Sequence, residues 1–556
     1  MERSKIPGVG GPNDAEHHSG SRALAWLVSA ALCGCAIGSD PSADALVRQD
    51  GRTGRSHPEP PAAWQSGGSL PAAPGSAPAS PWPGSGFEPS KACDYLATDI
   101  KLSSIAFYQT VKVTVMQDGQ PPAQRATDVV AGHRATVRAF VEPLAGWRPR
   151  NVTARLTAIA APAAPPAVVE DTVSVQSKST DGAWTSTFNL KLDAALVTPD
   201  LRYKLELFES EPCPAQPQVG NTDQARWPVT GEAALGARVV GDFKVVLVPF
   251  RYDADGSGRV PSLPPERVDD YRQAMEAEFP ISWLDLSVRA PVGTDLTLTA
   301  QGGNWSHALD DLKTLRASDG VADDVFYYGL VEPKATGQEY CAFGCVLGLA
   351  PLAGPLAVGS RVGLGIGYGG KASVETFLHE IGHSLGRKHT PCGGPAHADQ
   401  NYPVAGGGLD TWGLDLRTDT LKPPDSVFDF MSYCDPAWPS AYSYRGLMER
   451  ISFINAAPHW SPALQRHRYR TIIVDPEVPI TWGGVSEHVG WLQGPMMEQA
   501  TILDADGSVI THVGVVRQPI GDLPRAAFVL VPDAEPSWHA IQLAGHPPLR
   551  FDLPDR

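Results

Sequence analysis

The stretch His379-Glu380-Ile381-Gly382-His383-Ser384-Leu385-Gly386-Arg387-Lys388-His389 decides how the chain is read. Its surroundings, Ala372 to Leu385, have the pattern of a helix that stops at a glycine. On a helix, His379 and His383 stand one turn apart on the same face, where two imidazoles can grip one metal ion. Glu380 lies beside that pair, placed to reach a water on the metal without being a ligand. Gly386 can take a left-handed conformation and turn the chain back sharply, which brings His389 round as a third nitrogen ligand. Three neutral imidazoles with one open position form the ligand set of a catalytic Zn²⁺ site, which acidifies water and polarises a carbonyl.

Working outward, Asp429-Phe430-Met431-Ser432-Tyr433-Cys434 follows some tens of residues downstream. HExxHxxGxxH with such a methionine segment resembles the zinc-binding signature and Met-turn of the metzincin metallopeptidases. The resemblance is strong over about 371–435 and extends more loosely over 238–468; the family within the clan is left open. It implies an α+β catalytic domain and a zinc endopeptidase acting on protein or peptide substrates. It also implies His379, His383 and His389 as metal ligands, Glu380 as the proton shuttle and Met431 as a floor beneath them. Tyr433 matches a position where some metzincins carry a tyrosine that assists the oxyanion. In that clan the strand before the zinc helix pairs with extended substrate, and Arg361 to Tyr368 occupies that place.

The rest of the chain reads as a multidomain protein. At roughly 100–200 residues per domain, 556 residues suit about three domains. Residues 91–237 contain short alternating runs such as Arg134 to Val141 and Leu201 to Phe208, which predict an N-terminal β-sandwich of immunoglobulin-like type. Residues 238–468 begin with the apolar run Phe243 to Pro249. Helices are expected over Pro264–Phe279 and Trp305–Ala317, and strands over Asp324–Val331 and Arg361–Tyr368. Residues 469–556 return to β-patterning, with Asp506-Gly507 as a hairpin turn, and are expected to form a small C-terminal β-domain.

Residues 1–35 read as an export signal. Ala23 to Leu32 is an apolar core of about ten residues, too short to span a membrane. It runs into Leu32-Cys33-Gly34-Cys35, which resembles the bacterial lipoprotein signal and implies lipidation of Cys35. Residues 36–90 are rich in Pro, Gly and Ser and read as a disordered tether. The expected location is the cell envelope, held by lipid, or otherwise the medium. Any membrane contact would come only through that anchor. With Cys33 and Cys35 set aside, Cys93, Cys213, Cys341, Cys345, Cys392 and Cys434 remain, an even number that suits disulfides in an exported chain. Sequence neighbourhood favours Cys93 with Cys213, Cys341 with Cys345, and Cys392 with Cys434.

A net charge of −16, from 45 Lys+Arg against 61 Asp+Glu, argues against nucleic acid as a partner. Asp253-Ala254-Asp255-Gly256-Ser257-Gly258 resembles the opening of a Ca²⁺ loop. Its twelfth position is Pro264, where such a loop needs Glu, so a turn is favoured. Oligomeric state is left open. The rival function is a surface binding or adhesion protein whose peptidase-like domain is weakly active or inactive. Such a relic tends to lose a ligand or the glutamate, and here all are present.

Overall fold

The computed structural model describes residues 92–551, apart from 217–219, 397, 457–464, 476 and 493–496. It is a multi-sheet, mostly β molecule with few helices. The expected signal, the tether and Cys35 lie outside the described residues.

The N-terminal part is a pair of antiparallel sheets. One is built on Ala92–Leu96, Arg202–Ser210, Arg150–Ile159 and Ala167–Val175. The other is built on Lys112–Gln117, Ile100–Tyr108, Ala135–Pro143 and Phe188–Leu192. Every second residue of these strands turns inward: Ile105, Phe107, Val137 and Ala139 meet Val152, Ala154, Leu156 and Leu205 in one apolar cluster. A disulfide joins Cys93 to Cys213 with their α-carbons 5.8 Å apart.

The central region carries a sheet in the order Leu284–Val288, Phe243–Tyr252, Val325–Val331, Val362–Ile366, Gly348–Leu349. The first four strands are parallel, and Gly348–Leu349 is an antiparallel edge. Phe243–Tyr252 is apolar almost throughout because the sheet is covered on both faces. Alternation then splits neighbours: Phe326 and Tyr328 join the cluster of Tyr271, Phe377 and Ile381, whereas Tyr327 and Val331 join that of Trp305, Leu309 and Leu312. The helices Pro265–Glu278, Trp305–Ser318 and Gly370–Ser384 fall within a few residues of their expected bounds. No helix among the described residues is long and apolar enough to cross a membrane.

The C-terminal part is a single seven-stranded sheet running from Arg466 to Arg550. The Asp506-Gly507 turn joins the antiparallel strands Met497–Leu503 and Val509–Pro519. One face builds its own core from Ile472, Val474, Ile502, Val529 and Val531. The other sends Ile473, Ile520, Leu523 and Phe528 into the central cluster with Trp305, Leu312 and Leu364. The central helix Trp305–Ser318 covers the face that carries Ile473 and Phe528. A buried ion pair lies in that seam. Lys313 Nζ donates to Asp310 Oδ1 at 3.1 Å and to Thr471 Oγ1 at 2.9 Å, and Gly484 N–H donates to Asp310 Oδ2 at 2.6 Å.

Candidate metal centre

Helix Gly370–Ser384 buries Ser373, Phe377, Glu380, Ile381 and Ser384, the stripe of a helix laid against a sheet. Its end is a Schellman turn. Gly386 takes φ +82° and donates its N–H to His383 O at 2.7 Å, and Arg387 N–H reaches Gly382 O at 2.9 Å. A Cβ on Gly386 would also lie 2.6 Å from Arg450 Nη2, which would have to shift. The reversal carries His389 back beside the helix. His383 Nε2 and His389 Nε2 are 3.1 Å apart, and His379 stacks edge-on to His383 at a centroid distance of 4.8 Å.

Each imidazole is held by its other nitrogen. His379 Nδ1 lies 2.9 Å from Phe430 O, His383 Nδ1 2.7 Å from Arg387 O, and His389 Nδ1 2.9 Å from Ala396 O. A carbonyl can only accept, so every Nδ1 carries the proton and every Nε2 presents a lone pair when the ring is neutral. The three lone pairs converge on one small volume.

The floor beneath them is the segment Asp429–Cys434. Buried Asp429 accepts from Met431 N–H at 2.9 Å and from Ser440 N–H at 3.0 Å, which fixes a tight turn. Met431 is fully buried under the helix; a Cβ on Gly382 would stand 2.5 Å from its sulfur, so that motif position has no room for a side chain. Thr390 N–H donates to Met431 O at 2.9 Å and Tyr433 N–H to Cys392 O at 3.2 Å, tying floor to ligand loop. The disulfide Cys392–Cys434 staples the same two segments, with α-carbons 5.7 Å apart. The third bridge, Cys341–Cys345, closes a small loop just before the edge strand. All three pairings are those favoured by neighbourhood.

One member of the site has no counterpart in the sequence reading. Asp522, from the C-terminal sheet, projects its carboxylate among the imidazoles. Its oxygens lie 3.6 Å from His379 Nε2, 3.3 Å from His383 Nε2 and 3.1 Å from His389 Nε2. Tyr433 Oη donates to Asp522 Oδ1 at 2.6 Å. One atom from each of His379, His383, His389 and Asp522 falls within 4.8 Å of the others. Asp522 stands 133 residues beyond His389 in Gly521-Asp522-Leu523-Pro524, a turn-like sequence with no ligand spacing to mark it. The only local hint is Gly521: a Cβ there would lie 2.4 Å from the His383 ring.

Electrostatics follow from crowding these groups together. Burial pulls His379 down to about 3 and also lowers His383, against the opposing pull of Asp522. At His389 burial also works downward, but the Asp522 carboxylate outweighs it and the ring is raised. Burial alone would raise Asp522; the surrounding imidazoles hold it well below the ordinary carboxylate range. Burial pushes Glu380 well above that range, and the neighbouring Asp522 charge pushes the same way. Gly348 on the edge strand leaves space for Glu380, since a Cβ there would be 2.6 Å from its Oε1.

The donor set fits a divalent metal on its own terms. Buried His379 Nε2, Glu380 Oε2 and Asp522 Oδ2 meet at one point without well-directed hydrogen bonds, although Asp522 Oδ2 lies 3.3 Å from His383 Nε2. Three imidazole nitrogens with a carboxylate are the ligands of a borderline ion. At the weak calcium-like turn, Asp253 is engaged by Arg251 and Asp255 by Arg259, so both carboxylates are already neutralised by guanidinium groups.

One expectation is corrected. Arg361 to Tyr368 cannot offer a free edge to substrate, because its strand Val362–Ile366 is paired on both sides, by Val325–Val331 and by Gly348–Leu349. The edge belongs to Gly348–Leu349. Immediately beyond it the chain is already paired: Leu352 N–H donates to Pro519 O at 2.8 Å and Gly521 N–H to Ala350 O at 3.0 Å.

Residues 353–426 match the family model described as Peptidase M66. The match spans the histidine helix and its turn and is well under half of the chain. No curated protein matches the chain. Among solved structures the chain is similar to metalloproteinase-II from Bacteroides fragilis. The identity is 11%, 50% of this chain and 78% of that chain are covered, and the TM-score is 0.18, too low to carry a structural argument. The family-model match and the histidine cluster support a metallopeptidase.

Proposed function

We propose that the chain is a zinc-dependent endopeptidase of the metzincin type, exported and held to the cell envelope through lipid on Cys35, with protein or peptide as substrate. The observation that carries this reading is the orientation of the three imidazoles. Each is tautomerically locked by a backbone carbonyl, so the three Nε2 lone pairs face a single point beside Glu380. A zinc ion there supplies a Lewis acid that polarises the scissile carbonyl and acidifies water.

The remaining chemistry belongs to the chain. Glu380 stands beside the imidazole cluster without joining its ligand set, placed to take a proton from attacking water and deliver it to the leaving amine. Tyr433 already donates its hydroxyl to an oxygen lying between the imidazoles. Asp522 Oδ1 stands there for a substrate carbonyl oxygen, so the same hydroxyl is aimed at a developing oxyanion. Met431 and the Cys392–Cys434 bridge hold the ligands in register and take no part in the reaction.

The test uses the full chain. It should retain about one equivalent of zinc after dialysis, a stoichiometry that three protein nitrogens can hold. It should cleave casein in a manner that a chelator stops. Glu380→Gln should keep its zinc and its fold while turnover falls ~10²–10⁴-fold. Substantial activity in folded, zinc-loaded Glu380→Gln, or no zinc in the wild-type chain, would overturn the proposal.

A further inference from the structure

The C-terminal sheet does two things at the site at once. Its segment Pro519–Gly521 runs antiparallel to Ala350–Leu352, with the two backbone hydrogen bonds given above and a bridge between Pro351 and Ile520. This extends the catalytic sheet past its own edge strand, where an extended peptide would otherwise add itself. The next residue, Asp522, puts its carboxylate among the three Nε2 atoms and accepts from Tyr433. Backbone and carboxylate thus fill two places that a substrate needs together.

The segment is anchored. Ile520 and Leu523 on either side of Asp522 are buried in the cluster that contains Leu349 and Leu364. Gly302 makes room for Leu523, since a Cβ there would lie 2.5 Å from Leu523 Cδ1. Gly521 makes room for the crossing of the backbone over His383.

We infer that Pro519–Leu523 is an internal latch. Asp522 takes the fourth coordination position of the metal, the folded chain is latent, and the active form arises when this segment withdraws from the imidazoles. The inference rests on the metallopeptidase reading and adds its regulation. A closed set of four protein ligands is what a structural metal site uses, whereas a catalytic site keeps one position open. Glu380, fully buried beside the cluster and outside its set of ligand atoms, has no role in a permanently closed site. The two features are reconciled if the carboxylate is removable.

Acetohydroxamate reads the latch without turnover, because this small chelator binds zinc only where coordination positions are free. With zinc-loaded full chain, Asp522→Ala should retain its metal and bind acetohydroxamate at least ~10-fold more tightly than wild type, as expected if nine chains in ten or more are closed. Casein hydrolysis should rise in parallel. Adding Glu380→Gln should abolish that rise while the gain in hydroxamate affinity remains. Gly521→Ala keeps the carboxylate but sets a methyl against His383; it should show the same gain, and it decides the matter if Asp522→Ala does not fold. Equal hydroxamate affinities in metal-loaded wild type and both variants would overturn the latch and leave the metallopeptidase standing. Loss of zinc from Asp522→Ala would overturn it too, making Asp522 a structural ligand. Absence of zinc from the wild type would instead remove the metallopeptidase reading on which the latch rests.

Discussion

The N-terminal pair of sheets and the C-terminal sheet flank the same central region, yet only the second reaches the metal centre. Each sheet of the pair turns apolar residues toward the other, so Phe107 meets Tyr203 edge-on at 5.5 Å, and the same apolar cluster continues into the central region through Phe243, Tyr271, Phe377 and Met431. Its polar links to the central region include Thr110 Oγ1 donating to Ala277 O at 2.9 Å and His133 Nε2 lying 2.7 Å from Glu276 O. Among the described residues, none of the N-terminal sheets enters the histidine cluster. Among the described residues the C-terminal sheet has no partner sheet. Its strands are apolar on alternate sides, with Ile472 in one core and Ile473 in the other, so one face must find cover on the central helix. Packing of that kind brings its turns within reach of the edge strand and the imidazoles. The two β regions thus meet the centre differently: the N-terminal pair shares an apolar core with the histidine helix and Met431, whereas the C-terminal sheet sends a carboxylate among the imidazoles.

Cutting the seam between the C-terminal sheet and the central helix has the largest expected effect. Lys313 is buried and holds Asp310, Thr471 and the face of Phe528, whose ring lies 4.2 Å away. Lys313→Ala leaves the Asp310 carboxylate buried without its cation, and removing one partner of a buried pair costs about 3–5 kcal/mol. Chemical denaturation should show a loss of that size. Acetohydroxamate affinity should rise as the sheet loosens, because the latch is part of it. An unchanged midpoint would mean that the C-terminal sheet is merely appended.

The converse experiment addresses the N-terminal pair. Opening the Cys93–Cys213 bridge by the double change Cys93→Ser and Cys213→Ser releases a long loop, closed across a sequence separation of 120, and should lower stability by about 2–4 kcal/mol. Zinc content and Glu380-dependent turnover should stay at wild-type level. Loss of metal from the folded double variant would show that the N-terminal sheets also govern the site and would sink the contrast.

The same contrast explains what the amino-acid sequence discloses. Ligands within His379–His389 are legible because a helix, a glycine turn and a fixed spacing are all local, and the floor at Asp429–Cys434 is a short motif of its own. Strands such as Phe243–Tyr252 are legible because burial on both faces makes a continuous apolar run. Gly348–Leu349 is too short to show any period, so the sequence points to an edge one strand away, at Arg361–Tyr368. Asp522 is invisible for a deeper reason. Its role depends on how a two-faced sheet packs, and nothing in Gly-Asp-Leu-Pro encodes a partner 133 residues upstream.

The smallest expected effect separates the two regions at a single atom. Tyr433 Oη belongs to the floor of the site, and its hydrogen bond runs to the C-terminal Asp522 at 2.6 Å. Hydrogen bonds to a charged acceptor contribute about 1.5–3 kcal/mol, so Tyr433→Phe weakens the closed state and should tighten acetohydroxamate binding roughly tenfold in the otherwise unaltered chain. In the Asp522→Ala background that partner is already gone. There the same substitution should leave hydroxamate affinity unchanged, and kcat should fall roughly tenfold with zinc content and KM little altered, because only the oxyanion contact is lost. The cycle of single and double variants therefore assigns one hydroxyl two tasks, one in each state. Equal effects of Tyr433→Phe on hydroxamate affinity in both backgrounds would show that tyrosine and aspartate act independently. A silent kcat in the Asp522→Ala background would leave Tyr433 as packing beside His389, whose ring centroid lies 4.8 Å from its own.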